Sequence, residues 1–304
     1  MIVQALAHSA SITVCEVVPS QPKAIDAMGV VERVHELRWS LAFQRLRQIC
    51  ERFSEHMEID YGVFAGEPFI AITEQVIEQG FDLVVHISKQ DDAGPAAGLN
   101  ATGMHLMRKC PCAVWAIHPN LRRAEEPGAD SLPDTDTLVA IDRDHGPLAA
   151  RADTFAQRVL AIAADYAIAR GGRLHVMHAW QPFGHELLEH PSLKLDEKGR
   201  EFYRSQQRVE TQTWFDETLK SLADSLPAKV ELAPVLRCQE PVSAVLEALD
   251  ETNAGLMVLG NVGSSRHPGV LIGPTTESLL AQCNVPTLAL KPDDYITPLL
   301  RPAG

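Results

Sequence analysis

The stretch from Leu256 to Thr275 holds the residues whose types and spacing could do chemistry. An apolar run, Leu256-Met257-Val258-Leu259, passes directly into Gly260-Asn261-Val262-Gly263, and nine residues later comes Gly273-Pro274-Thr275. Gly260 lets a ligand approach the backbone at a strand end, and Gly263 supplies a turn. Gly273 precedes a helix whose first N–H groups and dipole attract an anion. Ser264, Ser265, Arg266 and His267 bring donors and positive charge to the loop between them. The same spacing also describes an ordinary strand–loop–helix turn, and the glycines alone leave both readings open. Asp142 closes a second apolar run, Val139-Ala140-Ile141. A carboxylate there either accepts hydrogen bonds from a ribose or base edge or closes an Asx turn.

Other constellations are weaker. Cys110-Pro111-Cys112 has neither Cys-x-x-Cys nor zinc-ribbon spacing and reads as two small buried hydrophobes in preference to a redox or metal pair. His185 and His190 invite comparison with His-Glu-x-x-His, but they are five apart, about 140° around a helix, and cannot face one metal. Trp39, Trp115, Trp180 and Trp214 read as core or domain-interface residues. The amphipathic stretch 30–53, with scattered Arg and Glu, reads as a helix with a solvated face. No Ser-His-Asp order, Walker A lysine, carboxylate pair or metal set is readable, so no catalytic residue and no metal ligand is assigned.

These residues must be positioned by strands and helices, and an internal repeat organises those elements. A shift of 173 residues brings Glu67-Pro68-x-x-Ala71-x-x-Glu74 onto Glu240-Pro241-x-x-Ala244-x-x-Glu247, Leu83 and Val85 onto Leu256 and Val258, and Cys110 onto Cys283. Nearer the N-terminus the shift is 162, so the second copy carries about 11 extra residues within 183–199. In the second copy, strands are expected at 137–141, 174–179, 230–235, 256–259 and 287–290. Helices are expected at 151–170, 201–226, from Pro241, and at 275–282. Apolar strands alternating with helices make a parallel sheet covered on both faces, with ligands beyond the C-terminal strand ends. Under the 162 shift Met1 falls on Ala163, so the first copy lacks the counterparts of 137–162, a whole strand included. Either the chain starts late or the first domain is a reduced one.

The organisation is therefore 1–119 as a degenerate first domain, 120–136 as a polar linker, 137–292 as a complete second domain and 293–304 as a tail. Bulk composition agrees. Of 304 residues, 45% are apolar and 22% charged, as in globular proteins. The formal net charge of −13 repels phosphate backbones and argues against a nucleic-acid partner. No apolar run is long enough to span a bilayer. The N-terminal stretch lacks a basic region and carries His8 and Glu16, so it reads as fold rather than leader. Six cysteines suit a reducing compartment, and a cytoplasmic location is expected.

Val139-Ala140-x-Asp142 at the first strand, His178-Ala179 ending the second, and Gly260-x2-Gly263-x9-Gly273 before a short helix resemble the universal stress protein family. The resemblance covers essentially the whole chain as two tandem copies. The first copy's segment Leu106–Trp115, without the glycine motif, is similar to the tandem E-type members. It implies flavodoxin-like, Rossmann-like α/β domains with five parallel strands in the order 3-2-1-4-5, the first copy lacking its first strand. It also implies that the last strands pair the domains, a pseudo-dimer within the chain, and it leaves a homodimer of whole chains open.

The resemblance implies ATP or AMP as the ligand, in the second domain only. Asp142 would face the adenosine and Ala179 would line the adenine pocket. Leu259, Gly260 and Gly263 would meet base, ribose and phosphates, and Gly273 and Thr275 would hold the phosphate tail. Pro274 replaces the family's hydroxyl residue and has neither N–H nor hydroxyl. Two lost contacts at roughly 1–2 kcal/mol each weaken binding by about one to three decades. In the first copy Ile87, Gln90 and Asn100 replace the three glycines. The resemblance implies a stress-response regulatory binding module with at most slow ATP hydrolysis. The alternative is a nucleotide-independent scaffold that binds a protein or apolar small molecule at the domain interface.

Overall fold

The computed structural model describes residues 10–21, 29–55, 57–87, 99–117, 136–143, 149–226, 230–260, 273–293 and 295–300. The second copy contributes the strands β5 (Thr137–Ala140), β6 (Leu174–Trp180), β7 (Leu232–Cys238), β8 (Leu256–Gly260) and β9 (Thr287–Leu290). They lie parallel in the order β7-β6-β5-β8-β9, which is 3-2-1-4-5 in copy numbering. β5 and β9 are central and short, and nearly every residue in them is buried. That burial is why they read as continuous apolar runs rather than alternating ones.

The helices of this copy are α4 (Ala149–Arg170), α5 (Glu197–Ser225), α6 (Pro241–Thr252) and α7 (Pro274–Gln282). α4 ends at Gly171, whose φ of +67° a side chain would resist, and the Gly172 N–H returns to the Ala167 carbonyl at 3.1 Å. α5 begins four residues before its expected start because the Asp196 carboxylate accepts the Gly199 N–H at 2.8 Å. The extra residues before it form two short 3-10 turns, His185–Leu187 and Pro191–Leu193. His190 accepts the Ser192 N–H there and acts as a cap. The core joins Val139, Leu160, Leu174, Val176, Phe215, Leu256, Val258 and Leu288 in one cluster.

The first copy contributes β1 (Ile12–Val18), α1 (Val30–Glu51), β2 (Ile59–Ala65), α2 (Pro68–Gln79), β3 (Leu83–Ile87), α3 (Ala101–Lys109) and β4 (Ala113–Ile117). In the second copy β5 is the link, pairing with β6 on one side and β8 on the other. No counterpart of β5 exists among the described residues of the first copy, and its four strands divide accordingly. β1 and β2, the counterparts of β6 and β7, form a two-stranded parallel sheet. β3 and β4, the counterparts of β8 and β9, join the second copy's strands in one seven-stranded sheet, β3-β4-β9-β8-β5-β6-β7. The seam between copies is β4 against β9, antiparallel, with Trp115 opposite Leu288.

Compactness follows this division rather than the repeat. One unit comprises Met1–Asp82, Lys109–Cys112 and Ile296–Gly304; the other comprises Leu83–Arg108 and Ala113–Tyr295. The first unit has a small core of Val18, Ala42, Leu46 and Val63. Its helix α1 buries Ala42, Leu46 and Cys50, yet Val30, Val34, Leu37 and Leu41 form an exposed apolar stripe. The counterparts of Val34 and Leu37 on α5 are Gln207 and Glu210, while those of Val30 and Leu41 are Tyr203 and Trp214, so polar residues interrupt the stripe in the second copy and not in the first. In the second unit Trp115 packs edge-on against Tyr166, ring centroids 5.3 Å apart.

Candidate functional site

The strand-end residues meet because β6, β5 and β8 are adjacent and parallel. Ala140 is level with Met177 on β6 and with Leu259 on β8. The Ile141 N–H continues the ladder to the Met177 carbonyl at 3.0 Å. One step further, Asp142 emerges with its side chain 91% exposed. Its Oδ1 accepts the N–H of the next residue, Arg143, at 2.8 Å, one residue short of the bond that defines an Asx turn, and the carboxylate faces outward.

Beside it His178 is buried, and its Nδ1–H donates to the Ile141 carbonyl at 3.0 Å, 4.0 Å from Asp142 Oδ1. The imidazole rests edge-on against Trp214, centroids 4.8 Å apart, and the Arg143 guanidinium lies over the same indole. Arg143, Trp214, Val209, Glu210, Thr213 and Glu217 line a cavity of about 300 Å³ next to this rim. Trp214, expected as a core or domain-interface residue, does pack partly buried against the core; the shelf it also forms was not anticipated. Only the i, i+4, i+7 spacing of Glu210, Trp214 and Glu217 on one face of α5 hinted at it.

Ala179 is half-buried near the end of β6. Leu259 is 3% exposed, so its side chain belongs to the core and only its backbone reaches the rim. Gly260 ends β8, and a Cβ there would stand 2.7 Å from Cε1 of Phe155 on α4. Gly263, with Ser264 to His267, lies outside the described residues.

On the far side of that loop Gly273 caps α7 at φ −68° and ψ 152° and offers no side-chain bond to the first turn. Pro274 follows at the first helical position, and Thr275 is exposed. The opening N–H groups of an α-helix have no intrahelical acceptor, so Thr275 and Thr276 present theirs without competition from the cap. Glu277 is ion-paired with Arg108 of α3.

The first copy treats the same place differently. His86 and Asn100 are the counterparts of Leu259 and Gly273. Asn100 Oδ1 accepts the Gly103 N–H at 2.9 Å and the His86 Nε2–H at 3.1 Å. Burial holds the His86 pKa below its usual value, against the opposing pull of the Asn100 bond. The helix start is thus satisfied by the chain itself. Asn before a helix is a readable capping signal.

At the opposite, N-terminal edge of the sheet sits an anchor that sequence reading did not single out. Asp136 accepts from the Arg173 N–H at 2.9 Å, Arg173 Nε at 3.0 Å and His175 Nε2 at 2.8 Å. Burial pushes this carboxyl up, but the bonds from His175 and Arg173 outweigh it and hold the pKa below the usual carboxylate value. Its position, away from the strand-end rim, is structural. Among the described residues, no three His, Cys, Asp or Glu side chains gather to hold a metal.

A family model described as the universal stress protein family matches residues 138–291. Universal stress protein E of Escherichia coli (strain K12) is 24% identical over 245 residues, covering 78% of this chain and 69% of that protein. Universal stress protein E of Salmonella typhi is 24% identical over 276 residues, covering 86% and 79%. Among solved structures, a universal stress protein from Archaeoglobus fulgidus DSM 4304 aligns with a TM-score of 0.63 at 14% identity, over 95% of this chain and 91% of that one. A chain of the same family name from Pseudomonas aeruginosa UCBPP-PA14 aligns with a TM-score of 0.58 at 18% identity, over 95% and 96%. At these identities the structural likeness is one of fold.

Proposed function

Because this chain belongs to the universal stress protein family, we propose that its second copy, residues 137–292, is a stress-response regulatory module that takes up one adenine nucleotide, ATP or AMP, at the strand-end rim. The observation that carries this reading is the contrast between Gly273 and Asn100. Two counterpart helices begin at the same place in the repeat. One is closed by its own asparagine, and the other, behind a glycine, has no side-chain cap among the described residues. A bare helix start beyond parallel strand ends is where an anionic group gains most from N–H donors and the dipole.

In this reading Asp142 accepts from the ribose, Ala179 lines the adenine, and the backbone at Leu259, Gly260 and Gly263 runs along base, ribose and phosphates. Gly273 and Thr275 receive the phosphate end, and Pro274 withholds both an N–H and a hydroxyl, which weighs more on a triphosphate tail than on a monophosphate. Among the described residues of the rim we assign no group to activate water against a phosphate, and in this reading the module signals by occupancy. No helix among the described residues is long and apolar enough to cross a membrane; the reading places the protein in the cytoplasm, without a nucleic-acid partner.

Calorimetric titration of the whole chain with ATP and with AMP tests this. One site per chain is expected, with affinity weakened about 10- to 100-fold in Asp142→Asn, the loss of a charge-assisted hydrogen bond. No heat from the wild type with either nucleotide would overturn the reading and leave the nucleotide-independent scaffold standing.

A further inference from the structure

The turn from α3 into β4 carries Cys110-Pro111-Cys112, and its two sulfurs lie 3.5 Å apart. The repeat separates what is ordinary here from what is not. The second copy has Cys283-Asn284-Val285 at this turn. Cys283 is buried, and its sulfur accepts the Val285 N–H at 3.4 Å and faces the Thr287 hydroxyl at 3.9 Å. Burial pushes its thiol pKa up. A buried cysteine at the end of this helix is therefore common to both copies, and in the second it is a structural acceptor.

Cys112 is the departure, a thiol where the second copy has an inert valine. Cys110 is 0% exposed, whereas Cys112 is half-buried. The chain bends through Pro111 and Cys112, and the fixed φ of proline limits how far the two side chains can part. The arrangement pairs an oxidant-accessible sulfur with a sheltered one already in van der Waals contact.

We propose that Cys110 and Cys112 are a peroxide-reactive dithiol that closes to a reversible disulfide within the turn. The Cys112 thiolate attacks the O–O bond of a hydroperoxide. An S–O bond forms, the O–O bond breaks, and the departing oxygen leaves protonated, as water when the oxidant is hydrogen peroxide. Cys112 is then a sulfenic acid. Cys110 Sγ attacks that sulfur; the S–S bond forms, the S–O bond breaks, and the hydroxide leaves with the Cys110 proton as water. Two thiols and one hydrogen peroxide thus give one disulfide and two waters, the sulfurs oxidised and the peroxide oxygens reduced. Exposure sets the order, because the buried thiol cannot meet the oxidant first. Closing the bond brings the sulfurs from 3.5 Å to about 2.0 Å, a movement the bend absorbs.

The sequence makes the test direct. Trypsin cuts after Lys109 and next after Arg122, so residues 110–122 form one peptide that holds both sulfurs and no other cysteine. The native full-length protein is treated with hydrogen peroxide, quenched, unfolded, alkylated and digested. The expected product is this peptide lighter by two hydrogens and unalkylated, restored by dithiothreitol. Cys112→Val installs the second copy's residue and leaves the buried cysteine common to both copies intact. In it Cys110 is expected to stay alkylatable, lost at least about tenfold more slowly than in the wild type.

The exposed Cys238 is the reference for oxidant dose. The proposal is overturned if Cys238 is oxidised while the peptide keeps two thiols. It is equally overturned if Cys112 proceeds to sulfinic acid, or bonds another chain, with Cys110 still reduced.

Discussion

A Cβ built on Gly260 would stand 2.7 Å from Cε1 of Phe155, so helix α4 closes over the end of β8 only because that strand ends in glycine. The glycine that spacing assigns to a ligand therefore has a packing duty that precedes any ligand. Gly260→Ala is expected to lower the stability of the nucleotide-free protein by about 1–3 kcal/mol, the usual cost of overpacking. Phe155→Leu in the same background should recover part of the loss by moving the ring edge away. Thermal unfolding without nucleotide measures both. An unshifted midpoint in Gly260→Ala would mean that the residue is there for the ligand alone.

That no counterpart of β5 lies among the described residues of the first copy has a consequence for local stability. Without the link that β5 supplies in the second copy, β1 and β2 rest on each other, on their helices and on a core of four buried apolar residues. Two-stranded sheets are marginal on their own, and local opening is easiest where burial is least. Backbone amides of β1 and β2 are expected to exchange hydrogen at least about tenfold faster than those of β5 and β8, whose residues are nearly all buried. Limited proteolysis should cut first within residues 10–82. Equal protection of the two sheets would show that the first unit draws its stability from elsewhere.

Much of this was legible beforehand, and the reasons are physical. Apolar periodicity marks strands and helices locally, so the elements of the second copy lie within a few residues of their expected bounds. The repeat transfers them to the first. The division of the first copy into two sheets was not legible, because sheet membership is a long-range property that hangs on whether one linking strand exists.

Side-chain networks are equally hidden. Glu67 and Glu240 stand at the same point in the repeat and look interchangeable. Only Glu240 caps its helix, accepting from Val242 and Ser243 at 3.0 and 2.9 Å, and Ser243 Oγ adds a third bond. Glu67 makes no such bond, and its counterpart of Ser243 is Ile70. The strand-end rim was legible in outline, since Asp142, Gly260 and Gly273 each follow from strand-end chemistry. The Trp214 shelf and the closure by Asn100 were not, because they depend on which neighbour each side chain meets.

Asp136 offers a pH-dependent test of what holds the second copy's strands in register. Its carboxylate binds Arg173 and His175 at the start of β6, and its own carbonyl accepts the Gly255 N–H at 2.9 Å just before β8. Asp136→Asn keeps at most part of this set and leaves the buried His175 short of its acceptor, so a loss of about 1–3 kcal/mol is expected at neutral pH. The direction of the pH effect follows from the depressed pKa of this carboxyl. A group held below its unfolded value, near 3.9 for Asp, gives stability that is complete above that value. The stability drains as pH falls through the lower, folded value. The chain carries 40 acidic residues, so absolute stability in acid reports all of them together, whereas the gap between wild type and variant isolates this one. Urea unfolding of both proteins from pH 7 down to pH 3 should show a constant gap at first, then a narrowing one once Asp136 begins to protonate. Arg173 stays charged throughout and cannot produce that narrowing. A gap that stays constant down to pH 3 would mean that the ionised carboxylate is not what ties these strands together.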